Sequence, residues 1–487
     1  MYDIPKWPTK TPMWTAETLA LVQGESVTKT PNVKLEELLQ KSENFPISFP
    51  IDSVRCKEIK NSVATEILEN NINSAYPLIH ENALILYAQF ILHKRKYGSS
   101  IEKELYKDMT VLDLVQRFLF KRAVMFMGRF DSYILIDRTK GAGKWNLIGK
   151  EEKKSKLTLE NCISYDEIKL SVFLSVSSYS YFINDGTRKN FGKVPANRNN
   201  IQDKGIVIGV IGARLKKVGA MEYEEMVITK TQNTEANGYG AKSNKSLHSV
   251  FANFYEEPCL TYEQVKTLMQ NEPNRFTTLE NEAFFDNVIF SKRIALSIDT
   301  LLLEANHRAK QENTTAYIHV VGIGLGVWKC SPHQEEVFVE TFAKRLKSLG
   351  ENLHSISDVY FSYFNQTKTC GGCKHGEKLK IENHPKDGVT IYISKRDPHV
   401  KLSGRDAGKL LVVSYAWDGN ALPGNEFWSG KLGSTGDSAA AASTQISEIH
   451  NSHINPKVCA ANLQVVTPSG LIAYDEYVEN LKIRKSK

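Results

Sequence analysis

The sequence predicts an α/β fold: a mixed central sheet flanked by helices, with a helical region at the amino end. Three observations predict it. The run "GIVIGVIGARL" (205–215) is β-branched and apolar with no polar face, as a strand buried on both sides requires. Further runs read as strands, and helical patterns separate most of them. Residues 1–110, by contrast, show almost only helical spacing, so they read as an N-terminal helical region preceding a domain at 111–487.

Taken in order, "KLEELLQKSENF" (34–45), "VATEILENN" (63–71) and residues 83–96 carry apolar positions three and four apart and predict helices. "TVLDLVQRFLFKRAVMFMGRF" (110–130) predicts one amphipathic helix, and "SYILID" (132–137) alternates as a strand does. "SYDEIKLSVFLSVSS" (164–178) predicts a helix with Asp166 and Glu167 in its first turn. "EEMVITKTQ" (224–232) reads as a strand, and 287–310 as a long helix carrying Ile294, Ile298, Leu301 and Leu302. "AYIHVVGIG" (316–324) is a strand running into glycines. The helix expected at 333–350 has acids first, bases last and a terminal glycine. "SDVYFSYF" (357–364), "VTIYIS" (389–394) and "KLLVVSYAW" (409–417) are strands, and 437–450 is a helix with Asp437 as its N-cap.

Composition bounds the function. The 487 residues are 41% hydrophobic and 24% charged, enough for a large core. The net charge of +7 suits an anionic ligand, but no basic block interleaved with aromatics points to nucleic acid. The start has no secretory signal pattern, and the apolar run 83–92 is too short to span a bilayer. Seven scattered cysteines suit free thiols in a reducing, cytoplasmic compartment.

Two loops leave buried strands and enter helices, the place where open α/β sheets bind ligands. The first, "GIGLGVWK" (322–329), lets Gly322, Gly324, Gly326, Val327 and Trp328 bring backbone N–H groups close to a phosphate. It lacks the third glycine of the dinucleotide fingerprint. The second, "SYAWDGNALPGNEFWSGKLGSTGDSAAAAS" (414–443), offers Asp418, Glu426 and Asp437 with Asn420 and Asn425. Carboxylates there can accept from ribose hydroxyls, orient water or stabilise positive charge at an anomeric carbon. Asp166 and Glu167, with "FINDGTRKNFG" (182–192) nearby, form a further candidate acid pair. The stretch "GARLKKVGAMEYEEM" (212–226) is uninformative by residue chemistry. "TKGAGKWNL" (139–147) is no P-loop, because Trp145 stands where a hydroxyl must be. "CGGCKH" (370–375) has one Cys pair where structural zinc needs two, and reads as a surface turn with free thiols. No metal or cofactor is required.

The segment "AYIHVVGIGLGVWKCSPHQEEVFVETFAKRL" (316–346), with "DVYFSYF" after it, resembles the second half of a macrodomain of the poly(ADP-ribose) glycohydrolase kind. "SYDEIKLSVFLSVSSYSYFI" is more loosely similar to the segment that carries that family's paired acids. "SYAWDGNALPGNEFW" resembles a macrodomain strand ending in an Asn loop around the distal ribose. The combination is similar to a macrodomain-like ADP-ribosyl hydrolase family of secreted effectors of intracellular bacterial pathogens, the MavL-like family.

That resemblance implies removal of ADP-ribose from modified protein, including ubiquitin modified on arginine. For an effector it implies transfer into the host cytosol. It implies the diphosphate on Gly322, Gly324, Gly326, Val327 and Trp328, and the distal ribose on Asn420 and Asn425. Asp418 and Glu426 would then lie at the attacked bond, with Asp437 holding a partner or the leaving group. The Asn loop follows the glycine turn here, which points to a permuted topology. The glycine run expected before Asp166 and Glu167 is missing, which favours the later acids. An ADP-ribose reader that cuts nothing, and an interaction scaffold, remain alternative readings of the same residues.

Overall fold

The computed structural model describes residues 2–23, 28–150, 156–241 and 243–485. Ten strands form one sheet. In chain order they are β1 (Tyr76–His80), β2 (Leu174–Tyr181), β3 (Lys204–Ile211), β4 (Ala316–Val320), β5 (Ile356–Ser362), β6 (Lys378–Leu379), β7 (Val389–Ser394), β8 (Leu410–Trp417), β9 (Gln464–Thr467) and β10 (Gly470–Ala473). Their spatial order is β6-β7-β5-β4-β8-β3-β2-β1-β9-β10. Neighbours from β7 to β3 run parallel, β2 runs antiparallel to β3 and β1, and β1 runs parallel to β9. The short edge strands β6 and β10 are antiparallel to their neighbours. The expected mixed sheet flanked by helices is therefore present.

The centre of the sheet follows from its residues. β3 and β8 are buried over nearly their whole length, which only apolar, largely β-branched strands tolerate. Gly209 leaves room for the Tyr415 ring of β8, whose hydroxyl lies 2.6 Å from where a Cβ would stand. β3, β8 and β4 are parallel neighbours, so their carboxyl ends lie side by side. From those ends leave Gly212, Asp418 and Val321, which open the three loops of the site.

The helix Asn287–Gln311 packs across this sheet and is buried on almost every face, as a helix between layers must be. Asp286 caps it, its Oδ1 accepting from the N–H groups of Val288 and Ile289. Its interior charges are paired: Arg293 with Glu222, Asp299 with Arg345, Glu304 with Arg308. Among the described residues no helix is long and apolar enough to cross a membrane.

Several elements differ from the sequence expectation. β1 stands within the stretch read as helical, because "YPLIH" is short and carries a proline. It brings the amino-terminal region into the sheet, and one apolar core runs from Ile4 to Leu481. The helix expected through 130 stops at Phe120, and Met125–Met127 is a strand paired with Ser132–Ile134. The cause is Arg122. Its Nε donates to the Gly419 carbonyl (3.1 Å), its Nη2 to that of Ser171 (2.8 Å), and its guanidinium lies over Trp417, which holds the backbone out of helical register.

The helix expected at 164–178 covers only Tyr165–Ser171; the alternating serines beyond it build β2 between β1 and β3. Residues 224–232 give a short helix, Tyr223–Met226, and the two-residue strand Val227–Ile228 of a separate small sheet. The helix expected at 437–450 is two short ones, Gly436–Ala441 and Ile446–Ile449. Thr435 is the N-cap, closing a capping box with Ser438; the Asp437 carboxyl turns elsewhere. Cys370 is buried rather than in a surface turn, although all seven cysteines are free thiols.

Candidate active site

The glycine turn and the acid loop meet at the carboxyl ends of β3, β4 and β8. Ser414 of β8 ties the two supports together: its hydroxyl accepts from the Val321 N–H (3.0 Å) and donates to the His319 carbonyl (3.2 Å). Gly324 adopts a positive φ of 70°, which favours glycine. Gly212 packs backbone to backbone against it; a Cβ on Gly212 would overlap the Gly324 nitrogen and the Ile323 carbonyl carbon. The Trp328 carbonyl accepts from the Leu215 N–H (3.1 Å). Among the described residues, no hydrogen bond engages the N–H groups of Gly322, Gly324, Gly326, Val327 or Trp328. Gly326 and Val327 are exposed. A row of unengaged donors beside open space has the chemistry to receive an anion.

The acid loop folds back on itself so that Asp418, Glu426 and Asp437 converge. Asn425 is fully buried with φ 36° and organises the turn. Its Oδ1 accepts from the Phe126 N–H (2.8 Å), and its Nδ2 donates to the Phe126 carbonyl (3.0 Å) and to Asp418 Oδ2. Asp437 Oδ1 accepts from the Gly424 N–H (2.7 Å), while its Oδ2 has no partner among the described residues. Thr435 donates to Glu426 Oε2 (2.7 Å). Asn420 is 2% exposed, yet neither of its amide atoms is hydrogen-bonded. A buried amide with both ends unsatisfied costs free energy, and both ends are available to a ligand's polar groups.

Electrostatics set the three acids apart from ordinary carboxylates. Burial, then the charges of Glu426 and Asp437, push Asp418 well above the usual range, against the pull of Arg214. Burial and the Glu426 charge do the same to Asp437. Burial also raises Glu426, but Thr435, Arg214 and Lys431 hold it lower. The three carboxyls thus interact: burial raises each of them, and the charge of Glu426 raises the other two further.

Asp166 and Glu167 are placed differently. Glu167 closes the capping box of its own helix with Ser164 and takes Arg117 in a two-pronged pair (2.5 and 2.9 Å). Asp166 pairs with Lys94 (2.6 Å); Lys94 and Lys169 outweigh burial and bring it to about 2. Lys169 in turn sits on Glu224 (3.0 Å) and Glu225 (2.8 Å), which lie with His248 in the one group of described residues spaced to hold a metal. An ammonium already fills that group.

Two arginines and a phenylalanine at the site escaped the sequence reading. Arg122 and Phe126 lie in the stretch read as helix. Arg214 lies in the stretch judged uninformative, three residues past the end of β3; that position, at the carboxyl end of a buried strand, was the available signal.

The fold is that of an α/β protein in which a glycine turn, an unpartnered amide and three buried acids lie together at the carboxyl ends of the central strands. The family model described as ADP-ribosylhydrolase MavL-like matches residues 36–480. ADP-ribosylarginine hydrolase CG2909 of Drosophila melanogaster is 43% identical over 458 residues, 92% of this chain and 90% of that protein. ADP-ribosylarginine hydrolase CG3568 of the same organism is 44% identical over 471 residues, 94% and 91% of the two chains. The chain belongs to the MavL-like ADP-ribosylhydrolase family. It is an enzyme that binds ADP-ribose and removes it from ADP-ribosylated protein.

Proposed function

We propose that the enzyme cleaves the bond between C1″ of the distal ribose and a guanidino nitrogen of ADP-ribosylated arginine. Relatives named as ADP-ribosylarginine hydrolases support the arginine linkage. The observation that carries the site assignment is the convergence of three buried, mutually repelling acids beside the unpartnered Asn420 amide. The 322–328 turn receives the diphosphate on its backbone N–H groups, and Trp328 packs on a ribose. Asn420 hydrogen-bonds the distal ribose, and Asn425 fixes Asp418. Glu426, the acid most readily ionised, orients water toward C1″ and takes its proton. Asp418, kept protonated by its neighbours, gives a proton to the departing guanidine nitrogen. Water oxygen bonds to C1″ as the C1″–N bond breaks, yielding free ADP-ribose and unmodified arginine. Burial and the charge of Glu426, with a smaller part from Asp437, hold Asp418 protonated. The fold name that fits is a permuted macrodomain, ubiquitin is one candidate protein carrier, and the seven free thiols favour the cytosol.

The test is release of ADP-ribose from arginine-ADP-ribosylated ubiquitin and from a second arginine-modified protein, followed by mass spectrometry. Release from arginine and not from modified serine or glutamate is expected. Tight ADP-ribose binding without release from any carrier would leave a reader and sink the enzymatic role of this site.

A further inference from the structure

We infer that Arg214 binds the diphosphate of ADP-ribose and so sets the specificity for that ligand, with Asp131 as the residue that aims it. The inference rests on the reading of 322–328 as the diphosphate cradle. Arg214 leaves β3 directly toward that turn. Only one nitrogen of its guanidinium is engaged: Nη2 donates to Asp131 Oδ1 (3.1 Å) and to the Gly128 carbonyl (3.4 Å). Nε and Nη1 make no hydrogen bond among the described residues. The group is nonetheless held in place. It lies 4.4 Å from the centre of the Phe126 ring and 5.8 Å from that of Trp328, with the side chain 11% exposed.

Asp131 is built to aim rather than to neutralise. It is fully buried with φ 51°, and it also accepts from Tyr165 Oη (2.6 Å) and pairs with Lys217 (2.7 Å). One carboxylate thus faces two cations, which leaves positive charge beside the turn. The two flanks of Arg214 locate it. Trp328 belongs to the glycine turn, and the backbone of Phe126 is held by Asn425, which also holds Asp418. Arg214 therefore lies between the turn and the acids. A diphosphate linking the adenosine side to the distal ribose must pass there. The N–H groups on Nε and Nη1 remain free to donate to phosphate oxygens from a delocalised cation that stays charged, which an ammonium on a flexible stem does not reproduce.

The experiment is calorimetric titration of wild type, Arg214→Gln, Arg214→Lys and Asp131→Asn with ADP-ribose and with adenosine, thermal unfolding being recorded for each. Arg214→Gln should bind ADP-ribose on the order of 10- to 100-fold more weakly, with adenosine affinity unchanged. Arg214→Lys should recover part of the loss, and Asp131→Asn should fall between. Folded Arg214→Gln with wild-type ADP-ribose affinity, or with an equal loss for adenosine, overturns the inference. Should Arg214→Gln fail to fold, wild-type affinity in both other variants overturns it. Failure of the wild type to bind ADP-ribose at all would instead remove the cradle reading beneath it.

Discussion

Asp437 shows how one residue serves two demands. Oδ1 completes the turn through the Gly424 N–H, while the rest of the carboxyl stays buried and unpaired, a cost that folding alone gives no reason to bear. Asp437→Asn keeps the acceptor and removes the charge. It should lower kcat by about 100-fold or more and raise the unfolding temperature by roughly 2 °C at pH 8. Equal kcat in kinetic assays, or a lower unfolding temperature, would contradict that role for the carboxyl. Glu167 has the opposite character. Its partner Arg117 is itself buried, so Glu167→Gln leaves an uncompensated charge and should destabilise by about 3–5 kcal/mol in denaturant titration. The kcat of the folded fraction should stay near wild type; a loss as large as that of Asp437→Asn would return the early acid pair to the chemistry.

At the scale of elements, the site depends on how closely two loops approach. The 322–328 turn rests on the β3 exit because Gly212 has no side chain. Gly212→Ala drives the turn outward, so KM for ADP-ribosylated substrate should rise by about 10-fold or more in steady-state kinetics. Asn425 joins the acid loop to the strand Met125–Met127 through two hydrogen bonds with the Phe126 backbone, and a third holds Asp418. Asn425→Ala leaves the Phe126 backbone groups unsatisfied and frees Asp418. Both stability and kcat should fall, which thermal unfolding and turnover measured on one preparation will check.

At the scale of the whole molecule, two sets of buried groups give opposing pH dependences. Burial lowers His319 and His453 to about 4 and His399 and His450 to about 3, all below the ordinary histidine value. Unfolding exposes them to protons, so their contribution to stability is present above about pH 6.5 and is lost as pH falls toward 4. Asp418, Glu426 and Asp437 are shifted upward, so their contribution is full below about pH 4 and is lost as pH rises through their raised values. The stability gain of Asp437→Asn over wild type should therefore grow with pH and vanish near pH 4. A gain that shrank as pH rose would reverse the sign. Turnover should be bell-shaped, rising as Glu426 ionises and falling as Asp418 loses its proton.

Much of this was legible in one dimension. β3, β4 and β8 are apolar runs too uniform for any other element, and the loops after β4 and β8 announce themselves by glycines and acids that folding alone does not need. Asp418, Glu426, Asp437 and Asn420 could be singled out because their chemistry is local to one loop. Asn425 could be named but not understood, since its partner Phe126 lies 299 positions away. Sequence separation also hid Arg122, whose bonds to Gly419 and Ser171, 297 and 49 positions away, break a helix that its own neighbours favour. Arg214 lies in a stretch uninformative by residue chemistry, and only the fold brings Asp131, Phe126 and Trp328 around it. Sequence by itself determined the buried strands and the loops that leave them, because composition and strand exits are local. Only the tertiary structure decided which residues repel one another, which are locked in ion pairs and which face open space, because burial and Coulomb energy depend on neighbours that the chain order does not supply.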